Sequence, residues 1–367
     1  ATSSLGAWYE NKNKLPHGIK GLSEKVEQLG MKFGLWFEPE MVSKHTTILS
    51  EHPDWMIATP NRAPSHGRNQ FILDFTRSEV VDYVFKLMDK ILGESKISYI
   101  KWDMNRFMTE VYSDQLGQDQ QGEVSHRYIL GVYSLYDRLI VKYPEILFES
   151  CAGGGGRFDP GMLYYAPQGW ASDNTDAIER LKIQYGASLV YPLNSIGSHI
   201  SAVPNHQVGR ITPLETRANV AFFGTFGYEL DVTKLTTEEK EIITQQVSFF
   251  KQYRELIRTG RFYRLVTPFE TNETAWMVVS PDQTQALVGY YQVLSRPNDY
   301  YCRLKLKGLN PEKLYEIKEL GTTHFGDELM NAGIVFAEDY TNRASEYWQR
   351  EKASDFSSLL FSLVEVK

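Results

Sequence analysis

Apolar stretches of strand length alternate with amphipathic stretches of helix length from the start of the chain to about Arg258. This rhythm predicts parallel strands joined by crossover helices, because parallel neighbours need a long connection. The six predicted strands span residues 32–37, 98–102, 146–150, 169–172, 188–191 and 220–225. A (β/α)8 barrel has eight strands, so either two strands escape the pattern or the chain begins inside a barrel.

Five helices are predicted beside these strands, and a sixth follows them. They span residues 21–29, 79–92, 127–141, 176–185, 213–218 and 237–258. Beyond them the chain becomes rich in short runs of Val, Tyr, Leu and Phe, at residues 262–266, 275–279, 286–293, 301–306, 314–319 and 357–366. These runs predict an antiparallel β domain, a small sandwich. We therefore place a (β/α)8-type catalytic α/β domain at residues 1–260 and an antiparallel β-sandwich domain at residues 261–367.

Composition argues against several classes of function. The formal net charge of −7, without a basic patch, argues against nucleic-acid and anionic-membrane partners. No apolar run approaches membrane-spanning length, and residues 1–6 lack a signal pattern, so we expect a cytoplasmic protein. Cys151 and Cys302 lie too far apart, in unlike contexts, to suggest a disulfide framework or a zinc site. The histidines show no metal-ligand spacing.

Two aspartates follow predicted strands, at the end where α/β enzymes build their active sites. Lys101, Asp103 and Asn105 alternate along the first of these strands and therefore share one face. A carboxylate beside an ammonium keeps its charge, which suits a nucleophile or an electrostatic stabiliser. Asp173 follows a different strand. Two carboxylates in two environments are what glycoside cleavage requires, although an aspartate after a strand is often only a turn former or helix cap.

Other polar positions near strand ends are candidates too. Trp36 could stack on a sugar, or belong to the core. Glu38 and Glu40 follow it, and we interpret both as holding loops through hydrogen bonds. Arg68 is a surface residue unless its loop folds over the barrel mouth. His199 is interpreted as structural.

A run of four glycines follows Cys151 and would let backbone amides approach a ligand closely. No Gly-Lys-Ser/Thr sequence comes after it, so a phosphate-binding P-loop is excluded. Cys151 itself is either part of this ligand-binding loop or a small buried residue.

Four segments together resemble the α-galactosidases of glycoside hydrolase family 36. They are segment 36–41, Lys-Trp-Asp-Met-Asn at 101–105, Cys-Ala-Gly-Gly-Gly at 151–155 and Ser-Asp-Asn-Thr-Asp at 172–176. The resemblance implies a retaining double displacement at α-linked galactose, with Asp103 as nucleophile and Asp173 as general acid/base. It further implies that the galactosyl ring is bound by Trp36, Arg68, Lys101, Asn105, Cys151 and Gly154. No metal or organic cofactor is implied, and the substrates would be oligosaccharides such as melibiose and raffinose.

The family's catalytic subunit normally has an N-terminal β-sandwich and two earlier barrel strands, the second ending in Asp-Asp-Gly-Trp. This chain lacks that motif, so we expect it to be the C-terminal part of such an enzyme. Two alternatives stay open: a galactosyl-transferring relative of the raffinose-synthase type, and an inactive galactose-binding fragment. The resemblance favours a homo-oligomer, such as a tetramer, for the full-length protein.

Overall fold

The computed structural model describes residues 4–295, 302–336 and 355–366. The chain divides into two compact units, Ala1–Asp173 and Asn174–Lys367.

The first unit is built around a parallel sheet. Its strands are β1 (Gly34–Phe37), β2 (Met41–Ser43), β3 (Gln70–Ile72), β4 (Tyr99–Trp102), β5 (Leu147–Ser150) and β6 (Gln168–Gly169). Its helices are α1 (Gly18–Gln28), α2 (Thr47–Glu51), α3 (Ser78–Glu94), α4 (Val124–Lys142) and α5 (Pro160–Tyr165). Four strands form the parallel sheet in the order β1-β4-β5-β6, and β2 pairs with β3 in antiparallel fashion.

The amphipathic helices of this unit cover the sheet with apolar side chains. Val84 and Met88 of α3 lie one helical turn apart and are fully buried. They belong to the same core cluster as Val132 of α4, Ile100 of β4 and Phe148 of β5. The strand residues that face the helices therefore form the core with them. The opposite face of the sheet is left mainly to polar side chains.

The second unit combines a short parallel pair with an antiparallel sheet. Its strands are β7 (Gly197–Ser201), β8 (Thr225–Glu229), β9 (Arg261–Val266), β10 (Glu273–Val279), β11 (Gln285–Gln292), β12 (Cys302–Leu304), β13 (Leu314–Ile317), β14 (Thr322–Phe325), β15 (Ile334–Phe336) and β16 (Ser357–Glu365). Its helices are α6 (Ala177–Ala187), α7 (Leu214–Ala221), α8 (Thr237–Thr259) and α9 (Gly326–Asn331). β7 and β8 are parallel neighbours.

The antiparallel sheet has the strand order β14-β13-β16-β11-β10-β9, and β12 pairs separately with β15. Met277, Val288, Tyr315 and Phe361 are buried in the core beneath it. Helix α8, which precedes this sheet, begins with a capping box in which Thr236 and Glu239 bond to each other's backbone amides. Helix α8 and the first two strands of this domain, β9 and β10, lie close to where the sequence predicted them.

Two predicted strands are wrong. Residues 188–191 form helical-type turns after α6, with Leu189 and Val190 exposed, whereas the strand lies nearby at β7. Residues 220–225 straddle the buried end of α7 and a tight turn, and the strand begins only at Thr225. In both places a short apolar run suggests a strand, although periodicity alone cannot separate a buried helix end from a strand. β7 was missed because Ile200 is its one large apolar residue.

The remaining predicted elements agree with the structure to within a few residues at each end, as helix and strand boundaries usually do. The predicted strand 301–306 begins at Tyr301, which lies outside the described residues, as does the side chain of Cys302. The proposed domain boundary at residue 260 stays a prediction. No helix among the described ranges is both long enough and apolar enough to cross a membrane.

Candidate active site

The polar face of the parallel sheet carries two rows of side chains, one above the other. Strand register places four residues side by side in the lower row: Trp36, Lys101, Glu149 and Gln168. The upper row consists of the residues two positions further along each segment, which therefore lie on the same face: Glu38, Asp103, Cys151 and Trp170. The upper row lies just beyond the carboxyl ends of the strands, where α/β folds place their sites.

Asp103 is buried at the end of β4 and is held by several donors. Its Oδ2 accepts hydrogen bonds from Trp36 Nε1 at 3.1 Å and from Asn105 Nδ2 at 2.6 Å. Its Oδ1 accepts one from the backbone amide of Met104 at 2.9 Å. The backbone amide of Asp103 donates to Phe37 O on the neighbouring strand. The carboxylate is thus fixed in one orientation, and two of its donors, Trp36 and Asn105, are positions that the family resemblance implies as ligands of the sugar.

Asp173 lies on the segment that follows β6, and its side chain is exposed. Cys151 Sγ is 4.0 Å from its Oδ1, at the limit of a sulfur hydrogen bond. A Cβ atom added to Gly154 would lie 2.6 Å from the Asp173 backbone nitrogen. The glycine loop therefore packs directly on the backbone of Asp173, which explains why this position needs a glycine.

Cys151 lies between the two aspartates. Burial, followed by the negative charge of Asp103, raises the pKa of its thiol well above the ordinary value. The thiol is therefore protonated at neutral pH, which makes it a weak donor toward a carboxylate and an unsuitable nucleophile. The sequence left two interpretations of Cys151 open, a small buried residue or part of a ligand-binding loop. The structure shows that Cys151 is buried, and its role in ligand binding stays a prediction.

Lys101 and Trp36 complete the floor of the site. Lys101 Nζ lies 3.0 Å from Glu149 Oε1 and 4.7 Å from the centroid of the Trp170 ring. Trp36 is 42% exposed and packs edge-on against Trp8. An exposed indole face beside an anchored carboxylate is suited to contact the apolar face of a sugar.

Arg68 occupies the tip of a tight hairpin. Gly67 and Gln70 exchange backbone hydrogen bonds, and Arg68 and Asn69 between them have φ angles of 54° and 59°. Two successive positive φ values are the signature of a type I′ turn, here made without glycine in the central positions. The Arg68 side chain is exposed, and its charge acts on Glu38.

Glu38 and Glu40 hold loops through hydrogen bonds, which confirms the interpretation made from the sequence. Glu38 accepts from the Asn105 backbone amide at 2.7 Å and from Gln70 Nε2 at 3.1 Å. Glu40 accepts from Trp102 Nε1, Tyr128 Oη and both terminal nitrogens of Arg157, at 2.7–2.9 Å. Burial raises the pKa of Glu38, and the nearby charge of Asp103 acts in the same direction.

Sequence reasoning missed the residues that support this site from below. Glu149, Gln168, Tyr99 and Arg157 were not named as candidates. The available signal was positional: Lys101 precedes the end of β4 by one residue, and Glu149 occupies the equivalent place on β5. His199, interpreted as structural, lies on β7 in the second unit with its Nδ1 3.5 Å from Glu229 Oε2.

The described part of the chain contains no group of three or more His, Cys, Asp or Glu residues placed to hold a metal ion. The site as described contains the carboxyl groups of Asp103, Asp173, Glu38 and Glu149, together with an ammonium, amides, a thiol and aromatic rings. This set is suited to proton transfer, nucleophilic attack and recognition of hydroxyl groups.

Comparison with known proteins identifies the family. The family model Melibiase matches residues 1–260, and the glycosyl hydrolase family 36 C-terminal domain matches residues 273–363. The chain therefore belongs to glycoside hydrolase family 36, the family of α-galactosidases that its motifs resemble.

Two bacterial relatives show how much of such a protein the chain represents. It is 54% identical over 364 residues to α-galactosidase AgaA of Geobacillus stearothermophilus, covering 99% of this chain and 48% of AgaA. It is 50% identical over 332 residues to α-galactosidase Mel36A of Lactobacillus acidophilus, covering 90% of this chain and 45% of Mel36A. The chain thus spans about half the length of these relatives.

Solved structures confirm the predicted fold class of a (β/α)8-type catalytic domain followed by an antiparallel β domain. The AgaA crystal structure matches with a TM-score of 0.94 at 52% identity, covering 100% of this chain and 49% of AgaA. The α-galactosidase from Lactobacillus brevis matches with a TM-score of 0.95 at 52% identity, with the same coverage. Variants of AgaA have been solved in complex with raffinose and with stachyose.

Proposed function

We propose that the full-length gene product containing this chain is an α-galactosidase that releases terminal α-linked galactose from oligosaccharides such as melibiose and raffinose. The observation that carries the proposal is the anchoring of Asp103 by Trp36 and Asn105, with Asp173 on the other side of Cys151. The names of the relatives, and the raffinose and stachyose complexes of one of them, support it.

We infer a retaining double displacement. A carboxylate oxygen of Asp103 attacks the anomeric carbon and forms a galactosyl ester as the glycosidic bond breaks. Asp173, as general acid, gives its proton to the departing glycosidic oxygen. In the second step Asp173 takes a proton from water, the water oxygen attacks the anomeric carbon, and the ester bond to Asp103 breaks.

The environments of the two aspartates suit these different tasks. Asp103 is buried and its hydrogen-bond partners are all donors, which stabilise an anion ready to attack. Asp173 is exposed, so it can exchange protons with water between the two steps. Lys101, Asn105, Trp36, Arg68, Cys151 and Gly154 are proposed to bind the galactosyl ring.

Covalent trapping tests the role of Asp103. A fluorinated galactosyl inactivator, followed by mass spectrometry, should label the peptide that contains Asp103, and Asp103→Asn should abolish turnover while leaving the fold intact. Label on a different carboxylate would contradict the assignment.

The dependence on the leaving group tests Asp173. Asp173→Ala should slow cleavage of raffinose or melibiose far more than the first step with an activated phenyl galactoside, because a good leaving group needs little protonation. Azide should restore turnover of the activated substrate and yield a galactosyl azide. Equal losses on all substrates without azide rescue would remove Asp173 from this role.

Product analysis separates the alternatives. Added sucrose or galactose would yield new oligosaccharides if the protein is a galactosyl-transferring relative. Calorimetric binding of galactose without turnover would indicate an inactive binding fragment. We further infer a homo-oligomer, such as a tetramer, which light scattering on the full-length product would test.

A further inference from the structure

The pair formed by Lys101 and Glu149 is a consequence of strand register. The two residues are direct neighbours on the parallel strands β4 and β5, and their side chains point to the same face of the sheet as Asp103. Lys101 is proposed to bind the galactosyl ring, whereas Glu149 is more deeply buried, at 2% exposure, and does not reach the sugar in that proposal.

The two oxygens of Glu149 have different partners. Oε2 accepts hydrogen bonds from the Tyr99 hydroxyl and from Gln168 Nε2, the latter at 3.1 Å. Oε1 makes no hydrogen bond of good geometry within the described ranges, and the Lys101 ammonium 3.0 Å away is the positive charge it faces. Burial, followed by the charge of Glu149, raises the pKa of Tyr99, which keeps that hydroxyl a donor. An ionised carboxylate at this depth requires such a counter-charge.

Lys101 is held by this arrangement from two sides. Glu149 attracts the ammonium from the neighbouring strand, and the Trp170 ring lies 4.7 Å away. The lysine side chain remains 23% exposed, so it is not fully enclosed by these two neighbours. A lysine has a flexible four-carbon stem, and without a fixed partner its ammonium would spread over many rotamers.

We propose that Glu149 is a positioning residue, whose buried carboxylate holds the Lys101 ammonium where the galactosyl hydroxyls bind. The inference rests on the proposed function and extends it to a residue that does not touch the sugar. Glu149 acts through Lys101, so removing its charge matters only while the lysine is present.

A double-mutant cycle on the full-length product tests this dependence. Glu149→Gln keeps the shape and leaves one oxygen to accept from Tyr99 and Gln168, but turns an amide donor toward the ammonium. We expect kcat/KM for raffinose and the affinity for galactose to fall about tenfold or more. In a Lys101→Met background the same substitution should change both by less than about twofold.

Tyr99→Phe is the matched control, because it disturbs the other oxygen of the same carboxylate and leaves the lysine pair intact. It should change kcat/KM by less than about twofold, whereas a purely structural role of Glu149 predicts similar losses for both variants. If Glu149→Gln does not fold, Glu149→Asp enters the same cycle, since it keeps the charge but withdraws it from Lys101 by one methylene.

The proposal is overturned if the loss caused by the Glu149 substitution persists undiminished in the Lys101→Met background, or if the substitution costs nothing. Failure of the proposed function gives a different result, namely a wild-type protein that releases no galactose. Galactose affinity then still reports on the pair, and a wild-type protein that does not bind galactose overturns both proposals.

Discussion

Arg157 donates from both terminal nitrogens to the two oxygens of Glu40, at 2.8 and 2.9 Å. Burial lowers the pKa of the guanidinium, but the Glu40 carboxylate outweighs this effect and the net pKa is raised. The pair joins the segment after β1 to the end of the glycine loop, 117 residues away along the chain. It therefore fixes the loop that carries Cys151 and Gly154.

Breaking this pair from one side should destabilise the protein strongly. Glu40→Gln and Arg157→Met should each lower the free energy of unfolding by about 3–5 kcal/mol, because each leaves a buried charge without its partner. The double variant should lose less than the sum of the two. Urea unfolding followed by tryptophan fluorescence measures the cycle, and additive losses would show that the two charges are not coupled.

Gly154→Ala should impair activity by crowding Asp173, the proposed acid/base residue. The new Cβ would lie 2.6 Å from the Asp173 backbone nitrogen, at a φ of +84° that L-residues avoid. A displacement of about 1 Å in a catalytic group can cost about a hundredfold in rate, so kcat/KM for melibiose should fall by at least about tenfold.

Gly153→Asn is the control for this loop. Gly153 has a φ of +54°, a Cβ added there would have nothing within 4 Å, and asparagine tolerates the left-handed region. The activity of this variant should stay close to wild type; a loss as large as that of Gly154→Ala would mean that loop strain, and not the contact with Asp173, is responsible.

Glu38 should make the protein less stable as pH rises from acid toward neutral. Its folded pKa is raised above 4.5, mainly by burial, so the folded state holds the proton more tightly than the unfolded state. Stability is then greatest below the unfolded pKa and falls as pH rises through the folded pKa. Glu38→Gln should flatten this slope. Gln70, whose buried Oε1 has no hydrogen-bond partner among the residues that the structure describes, can turn to accept from the new amide. Urea midpoints at a series of pH values measure the effect.

Glu110 serves as a control, because its pKa is lowered and its contribution to stability therefore has the opposite pH dependence. Hydrogen bonds from Ser65 and Thr109 lower its pKa to about 2, so its contribution is present above the unfolded pKa and disappears as pH falls toward 2. Glu110→Gln should therefore reduce stability at neutral pH. A Glu38→Gln variant that behaves the same way would refute the assigned direction.

Two helical glycines should respond oppositely to alanine. A Cβ on Gly131 of α4 would lie 1.9 Å from Phe75 O, so Gly131→Ala should destabilise by about 1–3 kcal/mol or more. Gly186 of α6 has nothing within 4 Å, and Gly186→Ala should stabilise by about 0.4–1 kcal/mol through a less flexible unfolded chain. Thermal unfolding of both variants measures the two changes in stability. Changes of the same sign would show that the contact with Phe75 does not decide the outcome.

Local patterns in the sequence determined much of this protein. The recurrence of apolar residues such as Val84 and Met88 at helical spacing predicts α3, and the alternation around Lys101 and Asp103 places them on one face of a strand. These signals are local because helix and strand periods are set by the backbone itself. The roles given to Asp103 and Asp173 came from the resemblance of linked motifs and stay predictions.

Tertiary structure decided the features that local sequence patterns do not determine. Nothing near residues 188–191 in the sequence separates a helix end from a strand, and only packing placed the strand at β7 instead. The pairing of Glu149 with Lys101 required the register of two strands that are distant in the sequence, and Arg157 reached Glu40 only through the folded loop. Periodicity reports which face a side chain occupies; which side chain it meets depends on long-range register, because contacts between distant segments form only when the whole sheet assembles.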